Sequence, residues 1–402
     1  MEMNLVLAIG IIIVIGFFGG LAAERLKFPR ITGYIVIGML LSPSLLNIIS
    51  GATIKNLDIM TDIALGIVAF LIGSGLHLAS LRKLGRSIAW ITPFQSLGAW
   101  LLVTLLIAFL YPRILTIPNA TFFQTYFPMA FIIGAVSCAT APAATMAVIN
   151  QYRAKGPFTT TLLAVVALDD AIAVIAFAIA VGIAQPLVNG GDISGYQMFG
   201  APFLQIVQSI GIGAAFAFAL IYIARLVRIR QLLLVVVFGT IMLCIGVTNL
   251  LGISPILASM AAGFIVVNKV RKNEMFLVLE EIEDVIFAMF FVLAGLHFNL
   301  GVMKTAGILA LLIVLGRCLG KYFGTRAGAT ISHASGEVKK YLGLALLPKA
   351  GVTVGLVLLA ERAFPTFGAI MMNAVLASVI INELVAPPLT RYAIFKAGEA
   401  SS

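Results

Sequence analysis

Two adjacent carboxylates, Asp169 and Asp170, stand in the run Ala167-Leu168-Asp169-Asp170-Ala171-Ile172, near the middle of an apolar stretch over about 157–184. A dozen residues to either end is roughly 18 Å of helix. An aspartate cannot reach water over that distance, and a charge held there costs several kcal/mol. Such a residue is retained for chemistry more often than for packing. A carboxylate takes either a proton or, through oxygen, a hard cation, so the two compete for one site. That competition is the chemistry of exchanging a cation for protons. Neighbouring residues diverge by about 100° around a helix. The reading therefore gives Asp170 the ion site and turns Asp169 toward a basic partner. Two candidates, Arg317 and Lys321, lie four residues apart on one helical face. Arg317 is nearer mid-span, whereas lysine can give up its proton when buried and arginine cannot. Both stay open.

Two further stretches break their helices in mid-span: Gly134 to Thr145, with Ser137, Thr140 and Pro142, and Leu347-Pro348-Lys349-Ala350-Gly351. Proline removes a backbone donor and clashes with the preceding turn. Within a bilayer the freed backbone is tolerated only where it is buried in protein or lines a cavity. Lys349 is expected to offset carbonyl dipoles at the second break. Glu383, before Pro387-Pro388, is expected to serve as a structural hydrogen-bond partner. His77 and His297 fall at helix ends and His333 in a loop, all read as interfacial or solvated, and Glu280, Glu281, Glu283 and Asp284 as a solvated acidic face. Cys138, Cys244 and Cys318 lie in apolar runs without CxxC spacing and are read as small core residues. There is no metal-ligand cluster, nucleophile elbow or phosphate loop, so an enzyme is not expected, and neither is a resident cofactor.

The elements that must position these residues follow from composition. Of 402 residues, 61% are hydrophobic and 10% charged; mean hydropathy is +1.11. Soluble domains are about a quarter charged, so the bilayer is the fitting solvent. The sequence predicts an all-α polytopic membrane protein. No polar stretch is long enough for an extramembrane domain. The start lacks a basic region and a cleavage site, so the first run is expected to be a retained helix. Thirteen spans of about 20 apolar residues are expected over roughly 4–23, 31–49, 57–77, 87–111, 122–150, 157–184, 201–225, 231–249, 253–268, 276–297, 302–328, 338–361 and 367–396. The eighth and ninth are short enough to be one bent hairpin. With this map, nineteen Lys and Arg fall in one set of alternate loops and helix ends, among them Arg25, Arg30, Arg86, Arg153 and Lys155. Only Lys55, Arg113, Lys304 and Arg362 fall in the other. Basic loops are cytoplasmic, which puts the N-terminus outside and the C-terminus inside. The net charge of +10 is then orientation, not nucleic-acid binding.

Gly75-Leu76-His77 closes the third span and Gly295-Leu296-His297 the tenth. Pro29 and Gly38 open the second span as Pro255 and Gly263 open the ninth. Both matches have an offset of seven helices, and the same offset pairs the two broken helices. An odd offset makes the copies inverted in the membrane, a transporter signature. The expected organisation is a first repeat over 1–184, a connector over 185–230 and a second repeat over 231–402.

In these features the chain resembles the monovalent cation/proton antiporter family with the inverted-repeat sodium/proton antiporter fold. The resemblance is carried by Asp169-Asp170 in the sixth span, the breaks at Thr140–Pro142 and Pro348–Gly351, Pro29-x-x-x-Gly33-Tyr34 with Gly38 and Ser42-Pro43, and Gly320-Lys321-x-x-Gly324. It implies that Asp170 carries the cation or proton, that Asp169 pairs with Lys321, and that Thr140 and Ser137 offer oxygen to the transported Na⁺. It implies electrogenic exchange, a moving core of spans 4–6 and 11–13, and a scaffold of spans 1–3 and 8–10 that dimerises. The partners implied are monovalent cations, protons, lipid and a second copy of the chain. Where many relatives read Pro-Arg-Gly-Glu, this chain reads Pro348-Lys349-Ala350-Gly351, so Glu383 is the candidate for balancing charge at that crossover. A C-terminal nucleotide-binding domain, found in potassium-efflux relatives, is not expected. The rival readings are a K⁺/H⁺ antiporter, a sodium-coupled organic-anion symporter of similar fold, and a non-transporting scaffold or receptor. The small residues at the breaks favour a bare ion over an organic substrate.

Overall fold

The computed structural model describes residues 4–400 except 27, 77–84, 115–116, 118–119, 191–199, 228–229, 271–273 and 350. His77, Lys27, Arg82, Lys83, Arg228, Arg271, Lys272 and Ala350 thus lie outside the described residues, as does the side chain of Glu280. Every regular element among the described residues is helical. In chain order these are α1 (Leu5–Arg25), α2 (Arg30–Leu41), α3 (Gly51–Asn56), α4 (Asp58–Ser74), α5 (Arg86–Ile114), a π-helical turn (Phe122–Tyr126), α6 (Phe127–Val136), α7 (Pro142–Gln151) and α8 (Pro157–Asn189). Then follow α9 (Ala201–Leu226), α10 (Arg230–Leu250), α11 (Pro255–Lys269), α12 (Glu274–Leu296), a 3₁₀ turn (Leu300–Val302), α13 (Met303–Ile331), α14 (Gly336–Ala345), α15 (Gly351–Ala363) and α16 (Gly368–Lys396).

Local sequence sets these limits. α2 is short because Pro29 opens it and Ser42, extended at ψ 157, leads into Pro43. α8 runs five residues past the expected end at 184, because Pro186 near its end removes only a single hydrogen bond. It stops at Gly190, which is left-handed at φ 65. α10 and α11 are separate helices, joined through Gly252 at φ 65. Seven helices among the described residues are long and apolar enough to cross a bilayer. Large apolar side chains stand exposed along them, Val6 by 79% and Leu250 by 88%, which water would penalise and lipid does not.

The chain divides into two compact units. The first comprises Met1–Arg82 and Gly200–Phe298. In it α2 packs on α12 and α4 on α11. Both contacts depend on glycine: a side-chain carbon on Gly38 would collide with the Val292 carbonyl and Gly295, and one on Gly263 with the Phe70 carbonyl. Arg30 pairs with Glu24 at 2.9 Å and approaches exposed Asp284 at 3.9 Å. His297 is half-buried.

The second unit comprises Lys83–Phe199 and Asn299–Ser402. Its closest pairing is α5 on α13, along a seam of small residues. A side-chain carbon on Gly320 would strike the Gly98 carbonyl and the Ala99 Cα; one on Gly324 would strike the Phe94 carbonyl and the Gln95 Cα. The backbone of α5 therefore lies directly on the helix bearing Arg317 and Lys321. His333 is exposed at the end of α13, left-handed at φ 58.

The end of the chain is fastened to the start of α8. The Glu399 carboxylate accepts from the Phe158 and Thr159 amides at 2.7 Å each, and its carbonyl accepts from the Lys155 amide at 3.2 Å. These α8 amides have no partner within their own helix, and an anion there also complements the helix dipole. Glu399→Ala is expected to cost about 1 kcal/mol of stability, read as a lower unfolding midpoint in detergent. An unchanged midpoint would show that the cap contributes nothing.

Candidate functional site

The site is built where the two broken helices meet. Ser137 and Cys138 close α6, Ala139 to Ala141 are non-helical, and Pro142 starts α7. Leu346 to Lys349 separate α14 from the second half-helix. The breaks are joined by a backbone hydrogen bond, Ala141 N–H to the Pro348 carbonyl at 2.9 Å. Thr140 Oγ1 lies 3.2 Å from the Leu346 carbonyl. Crossing half-helices in this way gathers the carbonyl ends of α6 and α14 in the protein interior, where they need donors.

Arg317 supplies those donors. Its Nε donates to the Ser137 carbonyl at 3.1 Å, Nη1 to that of Leu347, and Nη2 to those of Ala139 (2.7 Å), Pro348 (3.2 Å) and Leu346 (3.3 Å). The guanidinium is buried. A planar cation with five N–H groups thus spans carbonyls from both breaks and opposes their partial negative charge. This is the place expected for Lys349, whose ammonium donates instead to Ser378 Oγ at 3.1 Å.

One helical turn further along α13, Lys321 is also buried. Its Nζ donates to Asp169 Oδ2 at 2.8 Å, Thr140 Oγ1 at 2.7 Å and the Cys138 carbonyl at 2.6 Å, which uses all three of its hydrogens. Lys321, not Arg317, is the partner of Asp169. Thr140 Oγ1 also donates to Asp169 Oδ2, at 2.6 Å. The other carboxylate oxygen, Oδ1, faces α5, where it takes the Gln95 Nε2 amide and lies 3.4 Å from Ser96 Oγ. Asp169 is thereby held on both oxygens. Asp170, 4% exposed, has no part in these contacts, although it lies close enough to Asp169 and Lys321 to feel both charges.

The structure brings Asp169, Thr140 and Lys321 into direct contact, with Asp170 beside them and Arg317 one turn away. Ser137 takes part only through its backbone carbonyl, for its hydroxyl donates back to the Ile133 carbonyl at 2.7 Å. Glu383 is buried on α16. Its carboxylate approaches the Lys349 backbone amide but closes no hydrogen bond of ordinary geometry. Gln95 and Ser96 were not anticipated. Their signal was a polar stripe at helical spacing, Thr92, Gln95 and Ser96, buried within an apolar run.

A bundle of apolar helices with two crossed breaks, a buried ion pair and a second carboxylate beside it defines a multi-pass membrane transporter of small cations. The family described as "Sodium/hydrogen exchanger, transmembrane" matches residues 10–392, and the chain belongs to it. Among curated relatives, the Na(+)/H(+) antiporter NhaS4 of Synechocystis is 24% identical over 408 residues, covering 97% of this chain and 98% of that protein. Among solved structures, the sodium proton antiporter MjNhaP1 of Methanocaldococcus jannaschii at pH 8 superposes with a TM-score of 0.74 at 17% identity, covering 97% of this chain and 98% of that one. An electron-microscopy structure of the same antiporter gives 0.74 at 18% identity over the whole of both chains. These likenesses share the fold.

Proposed function

We propose that this member of the family exchanges Na⁺, or Li⁺ or K⁺ in its place, for protons, with Asp170 as the carboxylate that carries cation and proton in turn. Asp169, ion-paired to Lys321, and Thr140 complete its wall. The observation that carries the reading is the buried Asp169–Lys321 pair at the crossing of two broken helices, with Asp170 alongside and outside its hydrogen bonds. A carboxylate engaged on both oxygens suits a fixed counter-charge, and one without such bonds suits a ligand that must be taken up and released. The presence of two carboxylates beside one lysine supports electrogenic exchange, more protons than cations per cycle.

The reading extends to thirteen membrane passes in two inverted repeats, 1–184 and 231–402, joined by the connector 185–230. The paired breaks support it. So does the glycine packing of the first unit, where Gly38 against the tenth span and Gly263 against the third are the two places an inverted repeat would exchange. The division of the chain into two units supports elevator-type alternating access, in which the unit holding the site moves and the other is the scaffold and homodimer interface. The basic loops support insertion in the cell membrane with the N-terminus outside and the C-terminus cytoplasmic. Arg317 balances the crossover carbonyls, and Glu383, buried near the Lys349 amide, adds a negative charge close to that arginine.

The test is reconstitution in liposomes with an imposed proton gradient. Na⁺, Li⁺ and K⁺ are added separately, with the membrane potential clamped or free. Collapse of the gradient by one cation, at a rate that depends on the potential, is the expected result. Cation-driven uptake of an organic anion without proton movement would replace antiport by symport.

A further inference from the structure

We propose that Gln95 is a ligand of the transported cation, its side-chain oxygen entering the site opposite Asp169; the inference rests on the antiport reading above. Gln95 is fully buried on α5. Its main chain cannot drift, because the Gln95 Cα lies in the gap left by Gly324 on α13, the helix that also carries Lys321. Its carboxamide has a definite sense in this structure. The two amide hydrogens serve Asp169 Oδ1 and the Thr92 carbonyl at 3.0 Å, acceptors that no amide oxygen could satisfy, and the nitrogen also lies 2.7 Å from Ser96 Oγ. The oxygen at the other end of the same planar group is buried and has no donor. Buried amide oxygens without a partner are rare in folded interiors and point to an occupant.

The supply of oxygen around the site singles this atom out. Thr140 Oγ1 and the Cys138 carbonyl are engaged by Lys321, and the carbonyls of Ser137, Ala139, Leu346, Leu347 and Pro348 by Arg317. Gln95 Oε1, on the amide whose nitrogen meets Asp169, is by contrast a neutral oxygen with no donor among the described residues. Hard cations are bound through oxygen, and a neutral amide adds a ligand without changing the charge that the carboxylates set. The terminal torsion of a glutamine is broad and two-fold. Half a turn about it exchanges nitrogen for oxygen and gives up the nitrogen's bonds to Asp169 and the Thr92 carbonyl, which bonds from the cation to the amide oxygen and to Asp169 must offset. The amide N–H meets Asp169 Oδ1 in this structure; after that turn the amide oxygen faces Asp169 across the ion. Gln95 is thus a residue on which cation affinity depends directly.

Gln95→Leu removes both ends of the amide at similar size, and Gln95→Glu keeps the shape and offers oxygen at both. The readouts, at fixed pH, are the KM for the cation that wild type exchanges and the shift in unfolding midpoint that this cation produces in detergent. Gln95→Leu is expected to raise the KM at least about tenfold and to lose the cation-induced shift. Gln95→Glu is expected to bind the cation at least as tightly as wild type. A wild-type KM and shift in Gln95→Leu overturns the inference. If the leucine variant does not fold, Gln95→Glu decides alone, because a residue serving only as an N–H donor to Asp169 would lose affinity when changed to a carboxylate. A wild-type protein inert in both assays overturns the antiport reading itself, which separates that failure from this one.

Discussion

Arg317→Ala is expected to yield no folded protein in detergent. The guanidinium donates to five carbonyls drawn from both breaks, and in a bilayer no water replaces it. Each buried carbonyl left without a donor costs about 1–3 kcal/mol, and several together approach the whole of a protein's net stability. Arg317→Lys keeps the charge but has three donors and no planar fork. It is expected to fold with a clearly lowered unfolding midpoint. Size-exclusion profiles and thermal unfolding of the two variants check this. A monodisperse Arg317→Ala protein with a midpoint near wild type would show that the crossing holds without its arginine.

Lys321→Ala is the second large effect, with a different signature. It leaves the buried Asp169 carboxylate without its counter-ion, a loss of about 3–5 kcal/mol when one partner of a buried pair is removed. Removing the charge as well, in Asp169→Asn with Lys321→Met, replaces the pair by neutral groups of similar size and is expected to recover most of that stability. Gln95, Ser96 and Thr140 still have a polar side chain to bond in the double variant. Cation/proton exchange is not expected to return with it. Thermal unfolding of Asp169→Asn, Lys321→Met and the double gives the coupling directly. Additive losses would mean that the contact at 2.8 Å contributes no net stability.

Much of this arrangement could be read from residue types. Asp169 and Asp170 were legible because a charge in a long apolar run has few structural explanations. The breaks were legible because proline beside glycine and small polar residues in mid-span frees the backbone to leave the helix, although proline alone does not end one: Pro93 and Pro387-Pro388 lie within α5 and α16. The all-helical membrane architecture follows from composition, and the limits of α2 follow from Pro29 and Pro43. The division of labour between Arg317 and Lys321 was not legible. Periodicity puts both on one face, and only the crossing decides which meets a carboxylate and which meets the stranded carbonyls. The same holds for Lys349, assigned by sequence to those carbonyls because it sits in the break. Its own chain direction carries its ammonium to Ser378 instead. Ser137 has the right residue type in the right segment, yet its hydroxyl bonds one turn back along its own helix, a local competition that spacing does not reveal. Gln95 is not legible in the same way, because a neutral polar residue in an apolar span stands out less than a charge.

The central claim is that Asp170 is where cation and proton exchange places. The most direct test compares wild type with Asp170→Asn in matched proteoliposomes, both shown to be folded and inserted, recording proton movement on addition of Na⁺, Li⁺ or K⁺ across pH 6–9. Asparagine keeps the size of the side chain and removes its charge and its titration. Wild type is expected to dissipate the proton gradient with at least one of these cations, and Asp170→Asn to behave as empty liposomes do. Cation-dependent proton movement in Asp170→Asn at the wild-type rate would contradict it and move the exchange to another group.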